Sequence, residues 1–180
     1  KVTVIPRGQA KGLTWFTPDD EQTLVSRAQL KARIMGALGG RAAEDVVFGK
    51  GEITTGAGGD FQQVASMARQ MVTRYGMSPV GPIAFEDETN NQVFLDGTQT
   101  GGSTMTLDTT TKIDTEVQDI VNYCYEQARA ILSENRVAMD RLVDILVEEE
   151  TIEGPRFREI LGEYTEVPER KKYESYFSKG

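Results

Sequence analysis

The chain has 180 residues, with 20 lysines and arginines against 28 aspartates and glutamates. The resulting net charge of −8 offers no basic face for phosphates, so we expect no nucleic-acid partner. The chain contains no histidine, which excludes any mechanism in which an imidazole of this chain acts as a base or a ligand.

No apolar run approaches the roughly 20 residues that a membrane-spanning helix requires. The sequence begins at Lys1 rather than at a methionine. Together these features predict that the chain is a piece of a longer protein.

The N-terminal residues 1–18 favour extended structure, because β-branched residues alternate there between glycines and prolines. We expect a small hairpin or an edge strand. Helices dominate from Ser26 onward. Ser26 and Gln29 form a capping-box pattern, and an apolar stripe at four-residue spacing predicts the first helix: Leu30, Ile34, Leu38, Ala42 and Val46.

Three glycines, Gly36, Gly39 and Gly40, lie within that helix. Each costs about 1 kcal/mol relative to alanine in a helix interior. They therefore indicate either a neighbour that packs very close or a break after Leu38, and the sequence does not separate the two.

The second helix is predicted to begin at Asp60 and to be closed by Gly76 as the residue after the C-cap. Its inward face is predicted to comprise Phe61, Val64, Ala68, Met71, Val72 and Tyr75. Residues 78–111 are predicted to form a loop with a short strand at 83–85, and the Gly/Thr-rich part at 96–111 to be exposed.

A third helix is predicted from Ile113 to an interruption at Asn135, and a fourth comes after it. Pro155 suits the first turn of a final short helix. The inward residues of the third helix are predicted to be Ile113, Val117, Ile120, Val121, Cys124, Ala128, Ile131 and Leu132, and those of the fourth Met139, Leu142, Val143, Leu146 and Val147. The fold class is therefore mainly α with a small N-terminal β hairpin or edge strand, followed by a charged tail at 168–180.

Asp60 is the first candidate functional residue. A glycine-rich turn ahead of a helix usually receives a phosphate, but here the turn TTGAGG delivers a carboxylate. The residues alone allow two interpretations. Asp60 is either a plain N-cap or a ligand directed at a cation.

Four stretches resemble one family in their order and spacing: IPRGQAKGLTWFTP, LKARIMGALGGRAAEDVVFG, EITTGAGGDFQQVASMARQMVTRYGMS and LVDILVEEETIEGPRFREIL. They are similar to the peptidase domain of FtsH-type proteases, which are membrane-anchored, ATP-dependent zinc metalloproteases. The resemblance covers residues 1–167 and is greatest to cyanobacterial and plastid members. It implies a helical metallopeptidase domain over 1–167.

The resemblance implies a role for Asp60. In that family two histidines of an HExxH helix and one aspartate at the start of a later helix hold the zinc, and Asp60 matches the aspartate. A catalytic zinc takes three protein ligands and one water, and glycines would let the backbone turn sharply to place the third.

The resemblance implies two further assignments, each with an open alternative. Glu44 would orient a metal-bound histidine, or else pair with Arg41 on the same helix. Gly12, Leu13 and Thr14 match the strand whose edge pairs with substrate peptides, or else form an ordinary structural strand.

The chain departs from the family pattern in lacking the HExxH helix, the ATP-binding phosphate loop that would hold ATP and Mg²⁺, and any membrane span. The 180 residues alone are therefore predicted to be inactive. Either the HExxH segment precedes Lys1 in the parent protein, or the parent is a catalytically inactive homologue.

For an active parent, the resemblance implies a homo- or hetero-hexamer that degrades unfolded and membrane proteins. Its anchor would lie in missing N-terminal segments of a thylakoid or cyanobacterial membrane, with the peptidase domain on the stromal or cytoplasmic side. The alternatives are an inert ring-forming assembly module and an unrelated helical module that binds a basic partner.

Overall fold

A computed structural model describes residues 1–6, 13–14, 24–85 and 107–167. The first part of the predicted loop 96–111, up to residue 106, and the tail at 168–180 lie outside these residues. The chain divides into two compact units. The helical unit is Glu21–Glu134, and the mixed unit combines Lys1–Asp20 with Asn135–Gly180.

Three helices build the helical unit: α1 (Arg27–Phe48), α2 (Gly58–Thr73) and α3 (Leu107–Glu134). Each packs against the other two. The mainly α prediction is confirmed, and the three helices share one apolar core: Ile34, Leu38, Val64, Ala68, Met71, Val72, Ile113, Ile120 and Cys124.

The N-terminus of α1 is capped as predicted. The Ser26 backbone N–H donates to Gln29 Oε1 at 2.7 Å, and the Gln29 N–H donates to Ser26 Oγ at 3.2 Å. The far end of the predicted stripe is wrong, because Asp45 is buried where Val46 was expected. A strict four-residue spacing gains about 40° per step on a helix of 3.6 residues per turn, so the inward stripe moves to an earlier residue.

The described residues show neither a neighbour packed closely on the α1 glycines nor a break after Leu38, so both interpretations are wrong there. The helix runs unbroken from Arg27 to Phe48. A Cβ added at Gly36, Gly39 or Gly40 would meet nothing within 4 Å. These glycines therefore face open space in the described part of the chain.

The bounds of α2 and α3 also differ from prediction. α2 begins at Gly58, two residues before Asp60, and ends at Thr73 with Arg74 as its C-cap. The backbone of Gly76 is left-handed, with φ of +57°. Gly76 comes two residues after the C-cap, whereas it was predicted to come directly after it.

α3 begins at Leu107, inside the predicted loop, because the polar residues ahead of Ile113 continue the helix. Residues 83–85 form no strand. Phe85 instead packs against the core, and its N–H donates to the Thr73 carbonyl at 2.7 Å.

A partly buried polar network joins α1 to α3. The Tyr125 hydroxyl donates to Asp45 Oδ2 at 3.0 Å, and Arg129 Nε lies 2.8 Å from the same oxygen. The Arg129 contact is an ion pair that is not aligned as a hydrogen bond. Burial, followed by the bond to Asp45, raises the pKa of Tyr125.

The mixed unit contains α4 (Arg136–Glu149), α5 (Gly154–Gly162) and a three-stranded antiparallel sheet in the order β2-β1-β3. Its strands are β1 (Val2–Thr3), β2 (Leu13–Thr14) and β3 (Thr151–Ile152). The predicted hairpin is present, while β3 was missed. Thr3 is the buried residue of β1, and its hydroxyl donates to the Glu150 carbonyl at 3.1 Å.

The interruption at Asn135 and the position of Pro155 in the first turn of α5 are confirmed. Ile145 is buried with Ile152 and Ile160. Several predicted inward residues are instead exposed: Tyr75, Ile131, Val143 and Val147. Tyr75 is not part of α2, which ends at Thr73.

We expect Gly76→Ala to lower the free energy of unfolding by about 1–3 kcal/mol, because strained backbone conformations cost this much. Gly76 has φ of +57°, and an added Cβ would lie 2.8 Å from the Pro82 Cα. Urea unfolding of the chain measures the change. The control is Gly36→Ala, an exposed helical position, which should raise stability by about 1 kcal/mol. Equal effects of the two variants would contradict the strain at Gly76.

Candidate metal centre

The segment between α1 and α2 is built from two short 3-10 turns. The first is Lys50–Glu52, and the second, Thr55–Ala57, leads directly into Gly58 at the start of α2. Thr54 is extended and caps the second turn, because its Oγ1 accepts the Gly56 N–H at 3.2 Å. A threonine ahead of a glycine commonly forms such a local turn.

The glycines of this segment do not act as predicted. None of Gly56, Gly58 and Gly59 has a positive φ, so the turn does not need glycine for a left-handed backbone. A Cβ on Gly58 or Gly59 would meet nothing within 4 Å in the described chain. Only Gly56 is confined, since an added Cβ would lie 3.3 Å from Thr54 Oγ1.

Asp60 is the third residue of α2 and is exposed. The N-cap is Ala57, with no side-chain capping bond, so the interpretation of Asp60 as a plain N-cap is wrong. Within the described residues, no hydrogen bond or ion pair engages the Asp60 carboxylate. A negative charge in the first turn is favoured by the helix dipole, by about 0.3–1 kcal/mol at an exposed site.

Glu44 is directed at the turn ahead of Asp60. Its Oε2 accepts the Thr54 N–H at 3.0 Å, and its Oε1 accepts the Thr54 hydroxyl at 2.6 Å. Arg41 Nε lies 3.6 Å from Glu44 Oε2, so the predicted pair with Arg41 is present but long. The predicted role toward a metal-bound histidine stays a prediction.

Arg41 contacts the segment on both sides of Asp60. Its Nη2 donates to the Thr54 carbonyl at 2.7 Å, and its guanidinium carbon lies 4.9 Å from the centre of the Phe61 ring. Sequence reasoning missed Thr54 and gave Phe61 only a packing role. The Thr-x-Gly pattern at 54–56 was the available signal, but nothing local pointed to α1.

The predicted substrate strand lies in the mixed unit. Leu13 and Thr14 form β2, which pairs with β1 and is an edge strand of the described sheet. Gly12 lies outside the described residues. Asp60 belongs to the helical unit.

The fit of a zinc ion to this chain is partial. An exposed carboxylate without internal partners suits a zinc ligand, and Asp60 meets that requirement. No group of three or more potential ligands occurs among the described residues, and the sequence has no histidine. The described residues therefore do not make up a zinc site by themselves, and Asp60 stays a predicted ligand. In the same part of the chain, no helix combines the length and apolarity required to span a bilayer.

The sequence of the chain is similar to those of known proteins. A model of peptidase family M41 matches residues 1–160. The ATP-dependent zinc metalloprotease FtsH of Trieres chinensis is 54% identical over 170 residues, which cover 94% of this chain and 26% of the relative. The chloroplastic ATP-dependent zinc metalloprotease FTSH 6 of Arabidopsis thaliana is 52% identical over 168 residues, covering 93% and 24%.

A third relative, the ATP-dependent zinc metalloprotease FtsH of Cyanidium caldarium, is 52% identical over 163 residues. Those residues cover 91% of this chain and 26% of the relative. The chain thus spans about a quarter of the length of these curated relatives.

Glu44 makes stability depend on pH. The hydrogen bond from the Thr54 hydroxyl, then that from the Thr54 N–H, and the charge of Arg41 lower the pKa of Glu44 from 4.5 against the opposing effect of burial. A lowered folded-state pKa means that the carboxylate stabilises the fold above the unfolded pKa and loses this effect as pH falls through the folded pKa.

We therefore expect wild type to exceed Glu44→Gln in free energy of unfolding at neutral pH, and the difference to shrink below about pH 4.5. Urea unfolding between pH 7 and pH 3 measures it. Glu148→Gln, at an exposed position on α4, serves as the control. A difference that is independent of pH would contradict the assignment.

Proposed function

Because the chain belongs to peptidase family M41, we propose that it forms part of the peptidase domain of an ATP-dependent zinc endopeptidase, with Asp60 as the third zinc ligand. The observation that carries this proposal is the state of Asp60. Its carboxylate is exposed, has no internal partner among the described residues, and comes after a turn that α1 holds by named hydrogen bonds.

The ligand chemistry fits a shared site. A carboxylate oxygen is a normal zinc ligand, and a catalytic site takes three protein ligands with one position left for water. This chain contributes Asp60, and the HExxH histidines of the longer protein contribute the rest. When bound, zinc would polarise the scissile carbonyl and lower the pKa of its water.

In this proposal, side chains of this chain bind the zinc ion and orient another of its ligands. Asp60 holds one coordination position, and the first turn of α2 limits how far its short side chain moves. Both oxygens of Glu44 already accept a bond from Thr54, but each retains a lone pair. We propose that one of these accepts the N–H of a metal-bound histidine.

Substrate binding is assigned to Gly12, Leu13 and Thr14. As an edge strand of the described sheet, β2 has main-chain groups that are not used by a second neighbour. An extended peptide adds to such an edge through backbone hydrogen bonds. Since these bonds do not depend on side chains, the enzyme would accept many sequences, as degradation of unfolded proteins requires.

For the whole protein we propose a hexameric, membrane-anchored protease that uses ATP and Mg²⁺ in a separate ATPase module. Its substrates would be membrane and damaged proteins. The relatives are ATP-dependent zinc metalloproteases, which supports the protease activity and its dependence on ATP. The chloroplastic relatives favour a plastid membrane such as the thylakoid, and we propose that the peptidase domain lies on its stromal side.

Asp60→Asn in the full-length protein is expected to lower zinc affinity and to abolish most casein hydrolysis, because a carboxamide is a poorer ligand than a carboxylate. Zinc per chain is measured by mass spectrometry of metals after dialysis, and hydrolysis with labelled casein. The matched control is Asp108→Asn, since Asp108 also lies in the first turn of a helix. The control should retain both zinc and activity.

The 180-residue chain alone is expected to bind no stoichiometric zinc and to cleave nothing. Retention of zinc and activity by Asp60→Asn would overturn the ligand assignment. Absence of zinc from wild-type full-length protein would favour an inert, ring-forming assembly module.

A further inference from the structure

We propose that Arg41, Glu44 and Thr54 form a clamp that positions Asp60 for the metal, with Arg41 and Thr54 as positioning residues that touch neither metal nor substrate. This inference rests on the proposed function. We call these three residues the Thr54 clamp. It assigns a role in metal binding to a threonine and an arginine for which the sequence predicted none.

Every polar group of Thr54 is engaged. Its N–H and hydroxyl donate to the two oxygens of Glu44, at 3.0 and 2.6 Å. Its carbonyl accepts from Arg41 at 2.7 Å, and its hydroxyl oxygen accepts the Gly56 N–H at 3.2 Å. Four bonds fix both backbone and side chain of this residue in one conformation.

Thr54 is nevertheless exposed. Its bonds therefore bury little apolar surface. They determine where the chain leaves α1 and in which direction the second 3-10 turn begins. Because these bonds hold the residue that precedes the second 3-10 turn, we attribute to them the placement of the first turn of α2, which carries Asp60.

Arg41 extends the clamp past Asp60. The same guanidinium that binds the Thr54 carbonyl also lies over the Phe61 ring. Phe61 in turn packs against the apolar core. The segment that carries Asp60 is thus attached to one side chain of α1 at both ends, six residues before the aspartate and one residue after it.

The clamp side chains are fixed more firmly than surface pairs. Arg41 and Glu44 retain 18% and 24% of their side-chain exposure, against 44% and 62% for the pair of Arg69 and Asp114. Charge-assisted hydrogen bonds in partly buried positions are shorter and stronger than neutral ones. A planar guanidinium also meets a carbonyl and a ring together, which a lysine ammonium does not.

The test is zinc affinity of the full-length protein, measured by competition with a coloured chelator at a temperature well below unfolding. Thr54→Val removes the hydroxyl at constant shape, and we expect affinity to fall about 10–100-fold, as for other groups that support metal ligands. Thr54→Ser restores the hydroxyl and should recover most of the affinity. The control is Thr115→Val, which removes an exposed hydroxyl bonded to the Thr111 carbonyl within α3.

Arg41→Lys keeps the charge and serves as the second variant if Thr54→Val does not fold. It should also weaken zinc binding. Amide hydrogen exchange at 56–60, measured without zinc, should accelerate in both variants and not in the control. This readout is independent of activity.

Unchanged zinc affinity in the folded Thr54→Val and Arg41→Lys proteins would overturn the clamp. Equal loss in Thr54→Ser and Thr54→Val would also overturn it, because the hydroxyl would then be irrelevant. The two proposals fail differently. If Asp60→Asn binds zinc normally, the ligand assignment fails, whereas if Asp60→Asn loses zinc and the clamp variants do not, only the clamp fails.

Discussion

Burial of one face of α1 against α2 and α3 is the interaction on which the helical unit depends. Ile34 and Leu38 are fully or almost fully buried in this contact, and each contributes about 1.5–3 kcal/mol by removal from water. The contact sets the rotation of α1 about its axis. Once that rotation is fixed, the directions in which the polar residues at the C-terminal end of α1 point are fixed as well.

Those polar residues contact two neighbouring elements, α3 and the turn before α2. Asp45 faces the buried side and joins α3 through Tyr125 and Arg129, while Arg41 and Glu44 face the turn before α2. The two sets lie within one and a half turns of the same helix. A shift of α1 along its axis would therefore disturb both contacts together, so the core packing and the position of the turn are coupled.

Local signals predicted the parts of this structure that depend on neighbouring residues in the sequence. The capping box at Ser26, the break at Asn135 and the proline at the start of α5 are all of this kind. The family resemblance drawn from the motifs is confirmed by the M41 match and by the chloroplastic relatives.

The features that the sequence did not predict depend on contacts between residues far apart in the chain. β3 contains two residues and exists because β1, nearly 150 residues away, pairs with it. The contacts of Glu44 with Thr54 join residues separated by ten positions across two elements, which no periodicity encodes.

The two-residue error at the start of α2 has the greatest chemical consequence. An aspartate at the N-cap uses its side-chain oxygen to accept the free N–H groups of the first turn. With the helix beginning at Gly58, Asp60 is instead the third helical residue, and Ala57 takes the cap without a side-chain bond. The carboxylate then keeps its lone pairs while still benefiting from the positive end of the helix dipole. The carboxylate of Asp60 would accept backbone N–H groups in the predicted register, whereas in the observed one it makes no such bond and can accept a cation.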